Sequence, residues 1–373
     1  CQTVRLPKME QNFQCILSPR QIKPHNTKVG ITAFCRLTTM SNINKTFERA
    51  KGAIFEAIVR KLLQKNEYEP CKADYEQVDD KGRVRGRGEW HQIDALGRWK
   101  YTIPFVYPLR LLCEAKCWNN SVGLPVVRNF VGVIKDIAEN YFVEDNQDID
   151  KRMFSKRHTD CGAIFSISGF TKPAQRYAYA QGIFLVSYEN NPVINELVKN
   201  VDELSRFVRL ARRRKKREFS EWFERIWSTS YPPTDDKYVA DGEAFINNLT
   251  KLESKFSDVR TSVIGIATGV YPLHLLSYTE IPYDLFIGTD ETFFRTIYRR
   301  TERGGYYFEI FPSDFPEVKL YFTVPEIILS KYRDSMRRFK MEFLEWIDIP
   351  VTVMGIRRIL RFKLDTEWLK SIG

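Results

Sequence analysis

The sequence predicts an α/β protein in which a mixed sheet flanked by helices is followed by a C-terminal α+β domain. Three observations carry that expectation. Between residues 46 and 200, stretches with apolar residues three to four apart alternate with short apolar or alternating runs, the signature of interleaved helices and strands. A length of 373 residues suits two domains at about 150 residues each. Hydrophobic content of 43% and charged content of 28% are those of a packed chain rather than a disordered one. Every apolar run falls short of the roughly 18–20 residues that a membrane helix needs, so a transmembrane helical protein is excluded.

Residues 1–45 carry seven Lys or Arg against one acid, Glu10, and are interrupted by Pro7, Pro19 and Pro24. Their apolar runs are short, such as Val29–Phe34, and they read as an irregular basic segment with two short strands. Cys1, Cys15, His25 and Cys35 lack the paired C-x-x-C spacing of a zinc site. Residues 1–20 have no apolar core and carry Arg5, Lys8 and Arg20, so no signal peptide is expected. Seven Cys is an odd, sparse number without the rhythm of a disulfide framework. A reducing compartment, and so a cytoplasmic location, is expected.

A helix is expected from near Asn44, because Phe47, Ala50, Ile54, Ala57, Ile58 and Leu62 follow helical spacing. Gly82–Gly88 reads as a turn-rich loop studded with Arg. Trp90–Leu96 and Leu109–Cys117 read as strands separated by Pro104 and Pro108. A helix over Pro125–Tyr141 places Val127, Phe130, Val131, Ile134 and Ile137 on one side. Strand Ala163–Ser168, helix Pro173–Gln181 and strand Ile183–Ser187 complete a domain spanning 46–200. Residues 201–230 read as a single basic connecting helix, broken by Tyr231-Pro232-Pro233. In 231–373 the expected elements are helix Gly242–Phe256, strands Ser262–Ala267, Tyr306–Phe311, Val318–Phe322 and Val351–Ile356, and a long helix Ile327–Trp346.

Four residues suggest chemistry. Asp94 lies near the end of one strand, and Glu114-Ala115-Lys116 closes the next. Side chains two apart on a strand share a face, so Glu114 and Lys116 point the same way. If the two strands pair, Asp94 joins them. Two carboxylates side by side suit Mg²⁺, a hard cation that keeps waters for a phosphate substrate; Mn²⁺ is expected to substitute. Lys116 would then neutralise developing charge. Glu56 lies on the buried stripe of the first helix, where a carboxylate is costly unless something positive satisfies it. The competing reading is that Asp and Glu-x-Lys fall together by chance, with their side chains in solvent.

Helix Glu56, Asp94 and Glu114-Ala115-Lys116, in that order, resemble the PD-(D/E)xK nuclease superfamily. More narrowly, Lys51–Leu63, Asp94–Lys116 and Gly162–Ala174 with Gly182–Val186 are similar to Mrr-like restriction endonuclease domains, over about residues 46–190. The resemblance implies a restriction-endonuclease-like fold and Mg²⁺-dependent phosphodiester hydrolysis by a metal-activated water. It assigns Glu56, Asp94, Glu114 and Lys116 as catalytic residues, with Asp94 and Glu114 as metal ligands. The sequence departs from the pattern at Ile93, which stands where Pro is usual, and in the Pro-bearing insert Tyr101–Pro108.

The charge balance fits a polyanionic partner: 58 Lys and Arg against 47 Asp and Glu leave +11. Arg83, Arg85 and Arg87, Lys172, and the block Arg212, Arg213, Arg214, Lys215, Lys216 and Arg217 are the expected nucleic-acid contacts, with solvated surface as the alternative. Thr171 is alternatively a cap for the Pro173 helix. In the C-terminal half, His274 reads as a core or surface histidine, and Arg299, Arg300, Arg303, Arg357, Arg358 and Arg361 add basic surface. The function expected is a DNA endonuclease of restriction or anti-phage defence, a homodimer if it cuts duplex DNA, with no membrane partner. Residues 231–373 would serve recognition, sensing or dimerisation. The alternatives are an effector nuclease switched on by a ligand or protein bound to that domain, and a catalytically silent nucleic-acid-binding module.

Overall fold

The computed structural model describes residues 29–71, 77–139, 157–210, 216–227, 237–286, 290–302, 304–330, 344–353 and 356–367. The chain divides into two units, Cys1–Ile43 and Asn44–Gly373. Elements from Asn44 onward belong to the second. Cys1, Cys15 and His25 lie outside the described residues, as do Arg212 to Lys215, Pro232, Pro233 and Arg303.

Helix α1 runs over Val29–Lys65. It therefore begins well before Asn44, and the apolar run Val29–Phe34, in the segment expected to be irregular, is helical. From Ala50 onward the predicted stripe is buried: Ala50, Ala53, Ile54 and Ile58 have no exposure, and Ala57 and Leu62 have 1%. That stripe packs on a five-stranded mixed sheet of order β1-β4-β5-β6-β7. Its strands are β1 (Tyr68–Glu69), β4 (Ala95–Trp99), β5 (Leu109–Lys116), β6 (Thr159–Ser166) and β7 (Phe184–Ser187). β4 pairs antiparallel with β1 and β5, while β5, β6 and β7 are mutually parallel. The parallel steps need crossovers, supplied by α2 (Leu124–Ala138) and α3 (Lys172–Ala180).

Both sheet faces are covered. Leu111, Cys113 and Ala115 of β5 pack in the core with α1 and with helices α4 (Pro192–Ser205), α5 (Lys216–Trp227) and α6 (Gly242–Asp258). Leu112, one residue out of phase, packs with α2 and α3. This explains the near-continuous apolar run of β5, which is buried on two sides. Within the sheet, Arg110 has no exposed surface and pairs with Asp160 through Nε at 2.6 Å and Nη2 at 3.0 Å.

Two expected elements divide for identifiable reasons. Trp90–Leu96 is not one strand. β3 (Trp90–Gln92) pairs with β2 (Arg83–Arg85), then the chain breaks at Ile93-Asp94 and re-enters the main sheet as β4. The expected Gly82–Gly88 loop is thus partly a hairpin strand, seated by buried Val84. The single helix expected over 201–228 is also absent. α4 ends at Ser205, and Val208 bridges to Val239 while the Arg209 amide donates to the Tyr238 carbonyl at 2.7 Å. That pairing takes the chain out of helical geometry before α5 begins. The stretch is no mere connector: Phe219, Trp222, Phe223 and Ile226 of α5 are core residues on the α1 side.

After α6, strands β8 (Thr261–Ala267), β9 (Tyr271–Ser277), β10 (Glu291–Arg300), β11 (Tyr306–Pro312), β12 (Leu320–Phe322), β13 (Trp346–Val353) and β14 (Ile356–Leu364) form a closed barrel. Closure comes from parallel pairing of β10 with β14, from Glu291↔Arg361 to Phe294↔Leu364. The interior is filled by side chains such as Phe294, Phe308, Leu320, Phe322, Ile349 and Phe362. The expected strand Val351–Ile356 straddles the β13–β14 turn, where Val353 pairs with Ile356. Of the expected helix Ile327–Trp346, residues 331–343 lie outside the described residues, and Trp346 opens β13. Much of the barrel's Arg surface is neutralised locally, by Arg358–Asp290 at 2.6 Å, Arg361–Asp348 at 2.7 Å and Arg299–Glu309 at 3.4 Å.

His274 of β9 is a core residue, 4% exposed. Its Nδ1 is hydrogen-bonded to the Tyr188 hydroxyl at 2.6 Å and its Nε2 to the Ser262 hydroxyl at 2.9 Å. Ser262 is joined in turn to Asn66, just beyond α1, at 3.0 Å. Burial lowers the His274 pKa to about 3, so the ring is neutral and can use one nitrogen as donor and the other as acceptor. This chain of hydrogen bonds fastens the barrel to the end of β7 and to α1.

Candidate active site

Local backbone geometry gathers the four acid and lysine positions. The register Ala95↔Cys113 places Asp94 opposite the Glu114–Lys116 end of β5. The Asp94 Oδ2 atom accepts a hydrogen bond from the Ala115 amide at 3.0 Å, which fixes the carboxylate across the strand end. Glu114 and Lys116, two apart on β5, share a face, and the Lys116 ammonium pairs with Glu114 while lying 4.0 Å from Asp94 Oδ2. Glu56 enters from α1. One turn later, Arg60 donates to the Asp94 carbonyl and pairs with Glu224.

The structure adds a fifth member. Lys216, the first residue of α5, pairs with Glu56 and lies 3.8 Å from Asp94 Oδ1. Asp94 thus sits between two ammonium groups, each shared with a glutamate. Sequence reasoning placed Lys216 on a nucleic-acid surface with the rest of its basic block. The signal that could have found it was already present: a carboxylate on a buried stripe demands a cation, and a basic residue opens the amphipathic helix that packs beside it.

The electrostatics follow from burial. Glu56, 5% exposed, is raised to a pKa of about 8 by desolvation and then by the Asp94 charge, with Lys216 offsetting only part of this. Glu114 is raised for the same two reasons, against the pull of Lys116. For Lys216 burial opposes the charge, but Glu56 and Asp94 outweigh it and hold the ammonium above its ordinary pKa. The two directions are compatible because Lys216 faces three carboxyls, whereas Glu56 meets chiefly one ammonium.

These groups line a cleft of about 810 Å³ that Arg83, Arg217, Lys81 and Gln92 also border. Arg83 is held by Asp79 at 2.8 Å. Arg217 pairs with Glu221 at 2.7 Å and donates to the Asp80 carbonyl at 2.8 Å. Arg85 stacks its guanidinium 5.4 Å from the Trp90 ring, and Arg87 lies 3.6 Å from Glu139. Neither borders the cleft, and exposed Lys172, at the start of α3, does not border it either. Thr171 holds the N-cap position of α3 with Pro173 in the first turn, yet its side chain makes no capping hydrogen bond.

Among the described residues no group of three or more His, Cys, Asp or Glu side chains forms a ready-made metal cage. Asp94 and Glu114 present two carboxylates toward the same ammonium, an oxygen-donor set around a positive charge. Mg²⁺ is commonly held by one or two carboxylates with waters and phosphate oxygens completing its shell, so these donors fit it.

Residues 47–190 match the family model described as a restriction endonuclease, the Mrr catalytic domain, and this segment is a restriction-endonuclease-like nuclease domain. The segment holds Glu56, Asp94, Glu114 and Lys116, while Lys216 lies beyond it. No curated protein matches the chain. A crystal structure of a protein of unknown function, AF1548, is similar over 56% of this chain and 98% of its own, with 13% identity and a TM-score of 0.27. No helix among the described residues is long and apolar enough to cross a membrane.

Proposed function

We propose that this protein is a Mg²⁺-dependent endonuclease that hydrolyses DNA phosphodiester bonds in restriction or anti-phage defence, with the barrel half serving recognition, sensing or dimerisation. The observation that supports the reading best is the meeting of Glu56, Asp94, Glu114 and Lys116 in one cleft inside a restriction-endonuclease-like domain. Asp94 and Glu114 would hold the metal. The ion, when bound, polarises the scissile phosphate and makes water a better nucleophile. The Ala115 amide keeps Asp94 in place, so the ligand side chain is oriented before substrate arrives. The Lys116 ammonium balances negative charge building on the phosphate oxygens. Glu56, whose carboxyl is held above the ordinary carboxylate range by burial and then by the Asp94 charge, stands beside Asp94 and is paired with Lys216. Lys216 supplies a second positive group from outside the family-matched segment.

The test is nicking of supercoiled plasmid with Mg²⁺ and with EDTA. Wild type is expected to nick only with the metal. Asp94→Asn and Lys116→Met are each expected to lower the rate by about 10²-fold or more, the usual scale for a lost charge-stabilising group. Equal nicking by all three proteins would refute the assignment.

A further inference from the structure

Next to the catalytic cleft lies a second cavity of about 240 Å³, and the two share Gln92, Ile93, Glu114 and Lys116 as walls. The smaller cavity therefore adjoins the cleft along the wall that carries Glu114 and Lys116. Its chemistry differs from that of the cleft. One wall is the Trp118 indole, 44% exposed and two residues beyond Lys116. The Lys116 ammonium lies 5.2 Å from the centre of that ring. The α2 surface, with Val126 and buried Phe130, also lines it. Gln92 and Asn129, both exposed, bring two carboxamides to the cavity, and neither side chain forms a hydrogen bond with another described residue.

An exposed indole beside a phosphate site is a stacking platform, because every nucleobase presents a π-face and gains about 1–3 kcal/mol on an aromatic side chain. Carboxamides carry both a donor and an acceptor and so match base edges. We propose that this cavity receives the nucleobase flanking the scissile phosphate, stacked on Trp118 with the Asn129 and Gln92 amides facing its edge. A base in that position has left the double-helical stack. The preferred substrate therefore offers an unpaired or readily extruded base at the cut, since such a base has the least unstacking cost. This inference rests on the nuclease reading above.

The experiment compares binding and cleavage on the full chain. Fluorescently labelled single-stranded oligothymidylate, a duplex of equal length and an abasic oligomer of equal charge are titrated in EDTA against wild type, Trp118→Ala, Trp118→Phe and Asn129→Ala. Oligothymidylate is expected to bind wild type more tightly than either other probe. Trp118→Ala should weaken its binding about 5- to 100-fold, to the level of the abasic oligomer, and Trp118→Phe should restore most of the loss. Because the indole is exposed, both variants should fold, which circular dichroism verifies. Oligothymidylate binding unchanged in Trp118→Ala, with wild type still nicking plasmid in Mg²⁺, would overturn the base site and leave the nuclease reading standing. Failure of wild type to bind any probe or to nick plasmid would overturn both.

Discussion

Glu56→Gln isolates the cost of the buried carboxyl at the centre of this site. The unfolded chain releases the Glu56 proton near the ordinary pKa of 4.5, and the folded protein holds it to about 8. Between those values the folded state binds more protons, so the residue's contribution to stability is full below pH 4.5 and is lost as pH rises toward 8. At 1.36 kcal/mol per pKa unit the loss is on the order of 5 kcal/mol. Unfolding entropy near 2.1 cal/mol/K per residue, applied to the unit from Asn44 to Gly373, converts this to roughly 7 °C in Tm. The assay is thermal unfolding of wild type and Glu56→Gln in EDTA from pH 5 to pH 9. The variant's Tm relative to wild type should climb by up to that amount across the series. Using the difference matters, because other buried groups titrate in both proteins. A difference that stays constant with pH would refute the reasoning. A difference that climbs in favour of wild type would show that the Lys216 ion pair outweighs desolvation.

Other perturbations test the surroundings of the site. Lys216→Met leaves Glu56 without its ammonium and is expected to cost about 1–3 kcal/mol at pH 8.5, with most of the loss recovered in the double variant carrying Glu56→Gln; urea titrations of the double-mutant cycle measure the coupling. Tyr188→Phe strips His274 Nδ1 of its 2.6 Å partner and should lower stability by about 1–3 kcal/mol in calorimetry. His274 itself predicts an acid slope: the unfolded ring takes a proton near 6.5 and the folded ring only near 3, so stability falls as pH drops below about 6.5, and His274→Gln should flatten that limb. Asp160→Asn removes the carboxylate that pairs with the fully buried Arg110 guanidinium within the sheet and should cost about 3–5 kcal/mol, read as lost soluble expression or a lowered urea midpoint.

Much of the N-terminal half is legible in the sequence because its signals are local. The α1 stripe, the double-sided burial of β5 and the face shared by Glu114 and Lys116 follow from side-chain periodicity alone. Boundaries failed where a non-local partner decided the backbone. The break at Ile93-Asp94 exists because β3 pairs with β2 and β4 with β5, and neither partner can be seen in the run Trp90–Leu96. The helix expected over 201–228 ends early because Val208 finds Val239, across more than a helix length of chain. In the C-terminal half the sequence pattern does not mark β9, β10 or most of β14 as strands, and the barrel is not legible in it, since closure depends on β10 meeting β14 in register.

The basic surplus separates in the same way. Composition establishes the excess of positive charge, but only packing decides which charges are already engaged. Arg83, Arg217, Arg299, Arg358 and Arg361 are held by acids or carbonyls, and Lys216 is drawn into the cleft. Neighbouring residues alone establish the type and order of the groups in the N-terminal half: an acid on a buried helical stripe, an acid at a strand end, and a Glu-x-Lys closing an apolar strand. Periodicity and residue chemistry are properties of neighbours along the chain, so they survive without coordinates. Packing brings in a fifth group, Lys216, 160 residues from Glu56. A buried carboxylate requires a counter-charge, but which of many distant lysines supplies it is settled by how α5 packs against α1.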